Sequence, residues 1–247
     1  MDVIEISLAQ GSAEAYVARP ADAAEHPGVL FFMDAIGLRP RIAEMAQRIA
    51  DWGYVVLAPN VFHREGRVEH LAPRADLRQP GEREAFFALA MPRVRALTAD
   101  LAERDISDYL HALRDLPRVA EGPLGTTGYC MGARLALRAG CLDAGVAAVG
   151  GFHGGGLATD DADSPHLGLP DARAEFVFGH ADHDRSMPPE AVARLGRALD
   201  TAGLRSRNEV YAGAAHGYTM ADTAMFDDAA SERHFHELEA LLARTLG

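Results

Sequence analysis

The chain has 247 residues, 48% of them hydrophobic, and a formal net charge of −12 at pH 7. That length and apolar content suffice for one large α/β domain with a sizeable core. The negative charge argues against a nucleic-acid-binding protein, because neutralising phosphates requires clustered Lys and Arg. No apolar run reaches about 18 residues, and the first segment, MDVIEISLAQ, lacks the basic and apolar regions of a signal peptide. We therefore expect neither a nucleic-acid partner nor a membrane partner.

The first sixty residues predict the beginning of an α/β sheet. Two short strand-like segments, Val3–Leu8 and Ala13–Arg19, precede a continuous apolar run at 28–33, which is typical of a strand covered on both faces. Apolar residues then follow helical spacing over 41–53, where a glycine suits the position after a helix. A second buried strand at 54–60 completes a strand–helix–strand unit, which implies parallel pairing.

Residues 63–96 break this pattern, because they are rich in Arg, Glu, Gly and Pro and show weak apolar periodicity. We interpret them as an insertion or cap with short helical pieces. The alternation of strands and helices then resumes. The predicted helices are Thr98–Leu116, 131–142, Pro189–Ala202 and Phe226–Leu246. The predicted strands are 123–128, Val146–Gly151, Glu175–Gly179 and Arg207–Tyr211. Such alternation favours a mostly parallel sheet with helices on both faces. We expect a single α/β domain over 1–247 with the cap at about 63–96.

The motif GYCMG, residues 128–132, stands between a predicted strand and a predicted helix. A strand that turns sharply into a helix holds the central residue in a strained backbone, so that its side chain projects above the sheet. The flanking glycines permit the close backbone approach that such a turn needs. At the helix start, the Met131 N–H can donate to an oxyanion, and the helix dipole lowers the pKa of a thiol. Cys130 is therefore a candidate nucleophile, and a small buried thiol is the alternative interpretation.

A thiol nucleophile needs a base and an acid that orients the base. His216 lies in a Gly-flanked loop before the last predicted helix, where the base belongs in the chain order nucleophile, acid, histidine. Asp182 and Asp184 both follow a late strand, so either can be the acid while the other is a loop or capping residue. The other histidines considered are interpreted mostly as surface residues: His234 and His236 on a solvated or half-buried face of the final helix, His63, His70 and His111 in or near the cap, and His26 and His166 in loops.

The loop after the 28–33 strand is expected to supply the second oxyanion donor. The candidate is the N–H of Ala35, with Asp34 beside it as either a group near the nucleophile or an ordinary turn residue. Arginines in the cap or near the turn are candidates to bind a substrate carboxylate through two hydrogen bonds, with a solvated surface role as the alternative for each: Arg74, Arg78, Arg83, Arg39 and Arg41.

The two cysteines, Cys130 and Cys141, fall near opposite ends of the predicted helix 131–142. They are separated by about three turns, which is too far for a disulfide. We therefore expect free thiols, a reducing compartment and a cytoplasmic protein. Cys141 lacks the turn setting of Cys130 and is interpreted as a core residue. There is no CxxC pair and the histidines are dispersed, so we expect no metal site and no cofactor.

Taken together, five segments resemble the dienelactone hydrolase family within the α/β-hydrolases: PGVLFFMDAIGLRP, DWGYVVLAPNVFHREG, TGYCMGARLAL, FGHADHDRSMPPE and YAGAAHGYTM. The resemblance covers nearly the whole chain and implies an α/β-hydrolase fold. The family's Cys–His–Asp triad falls on Cys130 and His216. For the acid, the family's spacing of four residues before the proline that opens the next helix favours Asp184. The spacing from the glycine after the strand favours Asp182 instead, and of the two we favour Asp184.

The resemblance also implies a reaction. It predicts a cysteine-dependent hydrolase of lactones or small esters, of the carboxymethylenebutenolidase type, that works through an acyl-cysteine on a small-molecule substrate as a monomer or homodimer. Asp34 and Tyr129 are expected near the nucleophile. The dienelactone enzymes have Glu at the position of Asp34, so the side chain here is shorter by one methylene group. This difference leaves open whether dienelactone is the substrate. The alternatives are a broad carboxylesterase or thioesterase, a non-catalytic binding protein of this fold, and a redox-sensing thiol protein.

Overall fold

An eight-stranded sheet forms the centre of the molecule, and the computed structural model describes residues 1–247. The strands are β1 (Asp2–Leu8), β2 (Gly11–Ala18), β3 (Gly28–Phe32), β4 (Val55–Pro59), β5 (Leu124–Tyr129), β6 (Val146–Phe152), β7 (Glu175–Ala181) and β8 (Ser206–Tyr211). They lie in the order β1-β2-β4-β3-β5-β6-β7-β8. The pairs β1–β2 and β2–β4 are antiparallel, and all other neighbours are parallel. The carboxyl ends of the parallel strands therefore share one edge, where loop side chains can converge.

Seven α-helices and one 3-10 helix cover the sheet. They are α1 (Pro40–Ala50), α2 (Val68–Leu71), α3 (Glu82–Ala96), α4 (Ala99–Arg114), α5 (Met131–Leu142), the 3-10 helix (Pro165–Asp171), α6 (Pro189–Thr201) and α7 (Asp228–Leu246). Proline occupies the first turn of α1 and α6, where its missing N–H costs no helical hydrogen bond. Thr98 caps α4 by accepting a hydrogen bond from the Leu101 N–H.

The helices form one layer on each face of the sheet. On β5, the Thr126 hydroxyl donates to the Ala136 carbonyl of α5, whereas the ring of Tyr129, an odd number of residues away, reaches His234 of α7. Because successive side chains of a strand point to opposite faces, α5 and α7 lie on opposite sides. Helix α1 packs beside α7, where Arg48 pairs with Glu232 through two contacts of 2.6 Å. Strands β3 and β4 are buried throughout, as their continuous apolar sequences predict.

The predicted mostly parallel sheet with helices on both faces is confirmed, and three local features differ from the predictions. Helix α3 runs for 15 residues where the sequence predicted short pieces. It carries an internal proline, Pro92, and buries only three side chains, so no apolar stripe marks it in the sequence. The 3-10 helix was not predicted, and α7 begins at Asp228, two residues after the predicted start at Phe226, with Asp227 as its cap.

His234 does not lie on a solvated or half-buried face of the final helix. Its side chain is completely buried between α7 and the sheet, where its Nε2 is 3.2 Å from the Tyr129 hydroxyl. The position shares a helical face with Ser231 and Leu238, which are also buried, so helical spacing places it toward the core. Among all helices of the structure, none has the length and apolar character needed to cross a membrane.

Candidate active site

Cys130 stands at the sharp turn between β5 and α5. Its backbone has φ 55° and ψ −119°, a conformation that is strained for a residue with a side chain. A Cβ added to Gly128 would lie 2.0 Å from the Gly132 carbonyl oxygen, and one added to Gly132 would lie 2.4 Å from the Met33 carbonyl oxygen. Both positions therefore require glycine, and together they let the turn carry the thiol out over the carboxyl edge of the sheet.

The structure brings Cys130, His216 and Asp184 into one hydrogen-bonded line. The His216 Nε2 lies 3.1 Å from the Cys130 Sγ, and its Nδ1 lies 2.6 Å from Oδ2 of Asp184. Both Ser186 donors, its backbone N–H at 2.8 Å and its hydroxyl at 2.7 Å, reach the other oxygen of Asp184. The three side chains come from the ends of β5, β7 and β8, and neighbouring parallel strands place those ends at one edge.

Charge in this line favours a thiolate facing an imidazolium. Burial alone would raise the pKa of the Cys130 thiol, but the opposing His216 and the Met131 N–H lower it below its ordinary value. Burial alone would lower the pKa of His216, yet the Cys130 thiolate and the Asp184 carboxylate raise it to about 10. Burial also opposes the Asp184 charge, but hydrogen bonds from His216 and Ser186 bring its pKa to about 2. Each ionised group is thus stabilised by its neighbour.

Asp182 lies outside this line. Its carboxylate accepts hydrogen bonds from the His183 N–H at 2.9 Å and the Gly213 N–H at 2.8 Å, so it joins the loop after β7 to the loop after β8. Strand β7 continues to Ala181 instead of ending near Gly179. The spacing counted from Gly179 therefore starts inside the strand. For this reason it selects Asp182, which does not hydrogen-bond to His216.

The loop after β3 is held by two buried arginines. Arg93 of α3 donates to the carbonyls of Ala35 at 3.1 Å and Ile36 at 3.2 Å. Arg39 donates to both oxygens of Asp34, at 2.7 and 3.0 Å, and also pairs with Asp222. These contacts hold the backbone of the loop in the position where Ala35 borders the cavity that contains Cys130. Ala35 and Met131 thus both border the cavity over Cys130, and their role as N–H donors stays a prediction.

The two other residues expected near the nucleophile do not hydrogen-bond to it. Asp34 borders a small recess together with Cys130, but both of its oxygens are occupied by Arg39, which is only 3% exposed. The Tyr129 ring points into the core on the α7 side, where it stacks on Phe31 with 4.9 Å between centroids. Tyr129 precedes the nucleophile in a strand, so its side chain faces the other way.

The five arginines that the sequence singled out take different positions. Arg39 is committed to Asp34 and Asp222, and Arg41 donates to the Thr219 carbonyl. Arg78 pairs with Asp76 on the surface, and Arg74 borders a separate cavity within 63–96. Arg83 alone among the five borders the cavity over Cys130, where its guanidinium lies 4.7 Å from the Phe87 ring centroid.

The cavity over Cys130 has a volume of about 530 Å³. Its wall combines the site residues with apolar side chains of α3 and with arginines: Ala35, Arg83, Phe87, Met91, Val94, Cys130, Met131, Arg134, Gly155, Gly156, Asp184, Arg185, Ser186 and His216. Sequence reasoning missed Arg134, although its position one turn after Cys130 on a predicted helix was a usable signal. No cluster of three or more His, Cys, Asp or Glu side chains is arranged to hold a metal ion.

His153, at the end of β6, is a second residue that sequence reasoning missed. It is completely buried with φ 38°, its Nε2 is 2.7 Å from the Thr219 hydroxyl, and its ring packs edge-on against His216 at 5.3 Å. Burial and the nearby His216 hold the pKa of His153 well below its usual value, so the ring is neutral. The signal for it was its place at the carboxyl end of a parallel strand. His153 therefore backs His216 without adding a second charge.

Comparison with known proteins shows that the chain is similar to a described family. Residues 13–246 match the model of the Dienelactone hydrolase family. A protein of Synechocystis sp. provisionally named carboxymethylenebutenolidase is 22% identical over 238 residues, which cover 94% of this chain and 91% of the relative. A protein of Methylorubrum extorquens with the same provisional name is 24% identical over 219 residues, which cover 87% of this chain and 71% of the relative.

Solved structures give the same result for the fold. The crystal structure of a protein from Klebsiella pneumoniae, provisionally named dienelactone hydrolase, superposes with a TM-score of 0.81 at 20% identity and covers 98% of each chain. At this identity the likeness shows the fold alone. The predicted α/β-hydrolase fold is confirmed.

Proposed function

The chain belongs to the dienelactone hydrolase family, and on that premise we propose that it is a cysteine-dependent hydrolase of lactones or small esters that works through an acyl-cysteine. Membership makes it a hydrolase of carboxylic ester or lactone bonds. The observation that carries the finer proposal is the continuous hydrogen-bonded line from Cys130 through His216 to Asp184 at the floor of a cavity.

Acylation begins with the Cys130 thiolate. The lone pair of the sulfur attacks the ester carbonyl carbon, and the carbonyl electrons move onto oxygen. The N–H groups of Met131 and Ala35 donate to this oxyanion, since they flank the nucleophile at the helix start and on the loop after β3. When the intermediate collapses, the carbon–oxygen bond to the leaving group breaks, and His216 gives its Nε2 proton to the departing alkoxide.

Deacylation uses the same groups in reverse. Neutral His216 takes a proton from water, and the hydroxide attacks the acyl-cysteine. The second oxyanion collapses, the carbon–sulfur bond breaks, and the Cys130 thiolate is restored beside the His216 imidazolium. Asp184 keeps Nε2 directed at the sulfur and stabilises the imidazolium, so we assign it the role of triad acid and give Asp182 a loop-binding role.

Broad carboxylesterase or thioesterase activity is the second candidate function. The observation in its favour is the size of the cavity, about 530 Å³, with an apolar wall from Phe87, Met91 and Val94 that suits acyl groups larger than a compact lactone. A redox-sensing role is disfavoured, because Cys141 stands near the far end of α5 and cannot resolve an oxidised Cys130. We place the enzyme, with a small-molecule substrate, in a reducing compartment such as the cytoplasm, as a monomer or homodimer.

The test is hydrolysis of a panel of dienelactones, p-nitrophenyl esters and thioesters by the wild-type protein and by Cys130→Ala. We expect Cys130→Ala to abolish turnover of every substrate that the wild type hydrolyses. Rapid quenching and mass spectrometry should show the wild type carrying one acyl group on the peptide that contains Cys130. Unchanged hydrolysis by Cys130→Ala would show that the nucleophile is misassigned.

A further inference from the structure

A second cavity of about 410 Å³ adjoins the cavity over Cys130. The two share residues from α3, from the start of α5 and from the loop after β6: Met91, Val94, Met131, Arg134 and Gly156. These five residues therefore form the border between the two cavities, in the space between α3 and α5. The junction of the two cavities is occupied by Arg134, which is the only charged residue among the shared five.

Arg134 is a half-buried arginine whose guanidinium is bound by no protein side chain or carbonyl. It stands four residues after Cys130, one helical turn or about 6 Å along the axis of α5. Its side chain packs against Gly156, and it forms neither an ion pair nor a hydrogen bond. Arg138, one turn farther along the same helix, is instead bound by Glu103 and by the Asp163 carbonyl.

The charges around this junction favour an incoming anion. Arg83 and Arg185 also border the cavity over Cys130 without an ion-pair partner. The acidic group on that wall, Asp184, is already bound by His216 and Ser186. The site is therefore locally positive although the whole chain carries −12. Burial lowers the pKa of Arg134, so a bound anion would restore the stabilisation that its charge loses on leaving water.

The position of the anion along the cleft follows from the reaction. In the proposed mechanism His216 protonates the leaving group, so the leaving group lies on the side of His216 and Ser186. The acyl part stays attached to Cys130, at the start of the helix that carries Arg134. Farther along, the second cavity is bordered by Asp161 and Asp163, whose negative charges oppose an anion there. The acyl anion is thus expected at Arg134.

We propose that Arg134 is a specificity-determining residue that binds a carboxylate on the acyl chain of the substrate, so that the enzyme prefers half-esters of dicarboxylic acids over neutral esters of the same chain length. This inference rests on the proposed cysteine-dependent esterase function. A guanidinium can hold a carboxylate through two parallel hydrogen bonds, which gives direction as well as charge.

The test compares mono-p-nitrophenyl adipate with p-nitrophenyl hexanoate, which have the same chain length and the same leaving group. The ratio of their kcat/KM values measures the preference for the anion after subtraction of spontaneous hydrolysis. We expect a ratio above one for the wild type. Arg134→Met should lower it about tenfold or more, since hydrogen bonds to charged groups are worth about 1.5–3 kcal/mol and 1.4 kcal/mol is a factor of ten. Arg134→Lys should retain part of the preference.

Arg138→Met is the matched control, because its guanidinium is already bound by Glu103 and is not available to a ligand. The adipate-to-hexanoate ratio of this variant should equal that of the wild type. Use of a ratio also cancels any effect of Arg134 on the Cys130 thiolate, which changes both rates alike. Inhibition by free adipate gives a second measurement, and its inhibition constant should rise in Arg134→Met. Circular dichroism establishes that each variant is folded.

The two proposals fail in different ways. If no member of the panel of dienelactones, p-nitrophenyl esters and thioesters is hydrolysed, or if Cys130→Ala hydrolyses both p-nitrophenyl esters, the proposed function itself is wrong. If hydrolysis depends on Cys130 but the wild type does not prefer the adipate ester, or if Arg134→Met keeps the wild-type ratio and the wild-type inhibition by adipate, only the assignment of Arg134 is overturned.

Discussion

At the scale of single residues, the site depends on which carboxylate reaches His216. Asp184 accepts hydrogen bonds from His216 and from both donors of Ser186, so its orientation is fixed on two sides. Asp182, two residues earlier, accepts hydrogen bonds from backbone N–H groups with both of its carboxylate oxygens. The difference is one of direction, because residues two apart on an irregular loop need not face the same partner.

This arrangement predicts unequal effects of two conservative substitutions. Asp184→Asn should lower kcat for p-nitrophenyl acetate by about 10²–10⁴-fold, because a neutral amide neither stabilises the imidazolium nor holds the productive tautomer. Asp182→Asn should have a much smaller effect on kcat and chiefly lower the midpoint of thermal unfolding. Steady-state kinetics on both variants decide between the two acids, and a larger loss of kcat in Asp182→Asn would reverse the assignment.

The pKa values of the pair predict how the reactivity of Cys130 varies with pH. The thiolate forms as pH rises through the lowered pKa of Cys130, and the facing imidazolium is lost as pH rises through about 10. Alkylation of Cys130 by iodoacetamide should therefore become fast at a lower pH than alkylation of an ordinary cysteine. kcat/KM should rise on the acid side and fall near pH 10.

His216→Ala is the comparison for this pH dependence. Removing the imidazolium removes the main group that lowers the pKa of Cys130, so the midpoint of alkylation should move to higher pH. Mass spectrometry of the Cys130 peptide separates this reaction from that at Cys141, whose pKa burial raises to about 12. An alkylation profile that is the same in wild type and His216→Ala would contradict the thiolate–imidazolium pair.

At the scale of elements, two loops are tied to each other beneath the cavity. Arg39, at the start of α1, binds Asp34 on the loop after β3 and Asp222 on the loop that carries His216. Arg41 donates to the Thr219 carbonyl on the same loop as Asp222. The start of α1 thus fixes the loop after β3 and the loop that carries His216 relative to each other.

Replacement of Arg39 should therefore lower the free energy of unfolding. Arg39→Met leaves the buried carboxylate of Asp34 without its partner, and such a loss typically destabilises a protein by about 3–5 kcal/mol. Urea unfolding followed by circular dichroism measures this change. Arg78→Met is the matched control, since the Arg78–Asp76 pair is exposed, and its midpoint should stay at the wild-type value. Equal stability of the two variants would contradict a structural role for the Arg39 clamp.

At the scale of the whole molecule, parallel strand order is what gathers the site. Cys130 and His216, after β5 and β8, are 86 residues apart, yet the carboxyl ends of β5, β7 and β8 lie at one edge of the sheet, with β6 between β5 and β7. Helix α3 then covers this edge from the region 63–96 and contributes Arg93 below the loop after β3 and Arg83 at the cavity. Arginines border the cavity over Cys130 although the chain carries −12, and the acids beside Cys130, Asp34 and Asp184, are already bound.

Much of this followed from the sequence because the signals were local. Continuous apolar runs marked the buried strands, and apolar spacing marked α1. The GYCMG motif identified the turn because only glycine fits two positions where backbone atoms come within 2.4 Å of an added Cβ. Helix α3 escaped prediction because its surface is not divided into an apolar and a polar face.

Only the tertiary structure decided the contacts between distant segments. Asp34 and Arg39 are close in sequence, but Asp222, which completes their clamp, is 183 residues from Arg39. Whether Asp182 or Asp184 reaches His216 depended on β7 continuing to Ala181, a boundary that β8 determines by pairing alongside it. Local sequence patterns therefore determined the elements and the order of the candidate residues. The partners of each charge were decided by packing, because an ion pair depends on which distant groups are brought within a few ångströms.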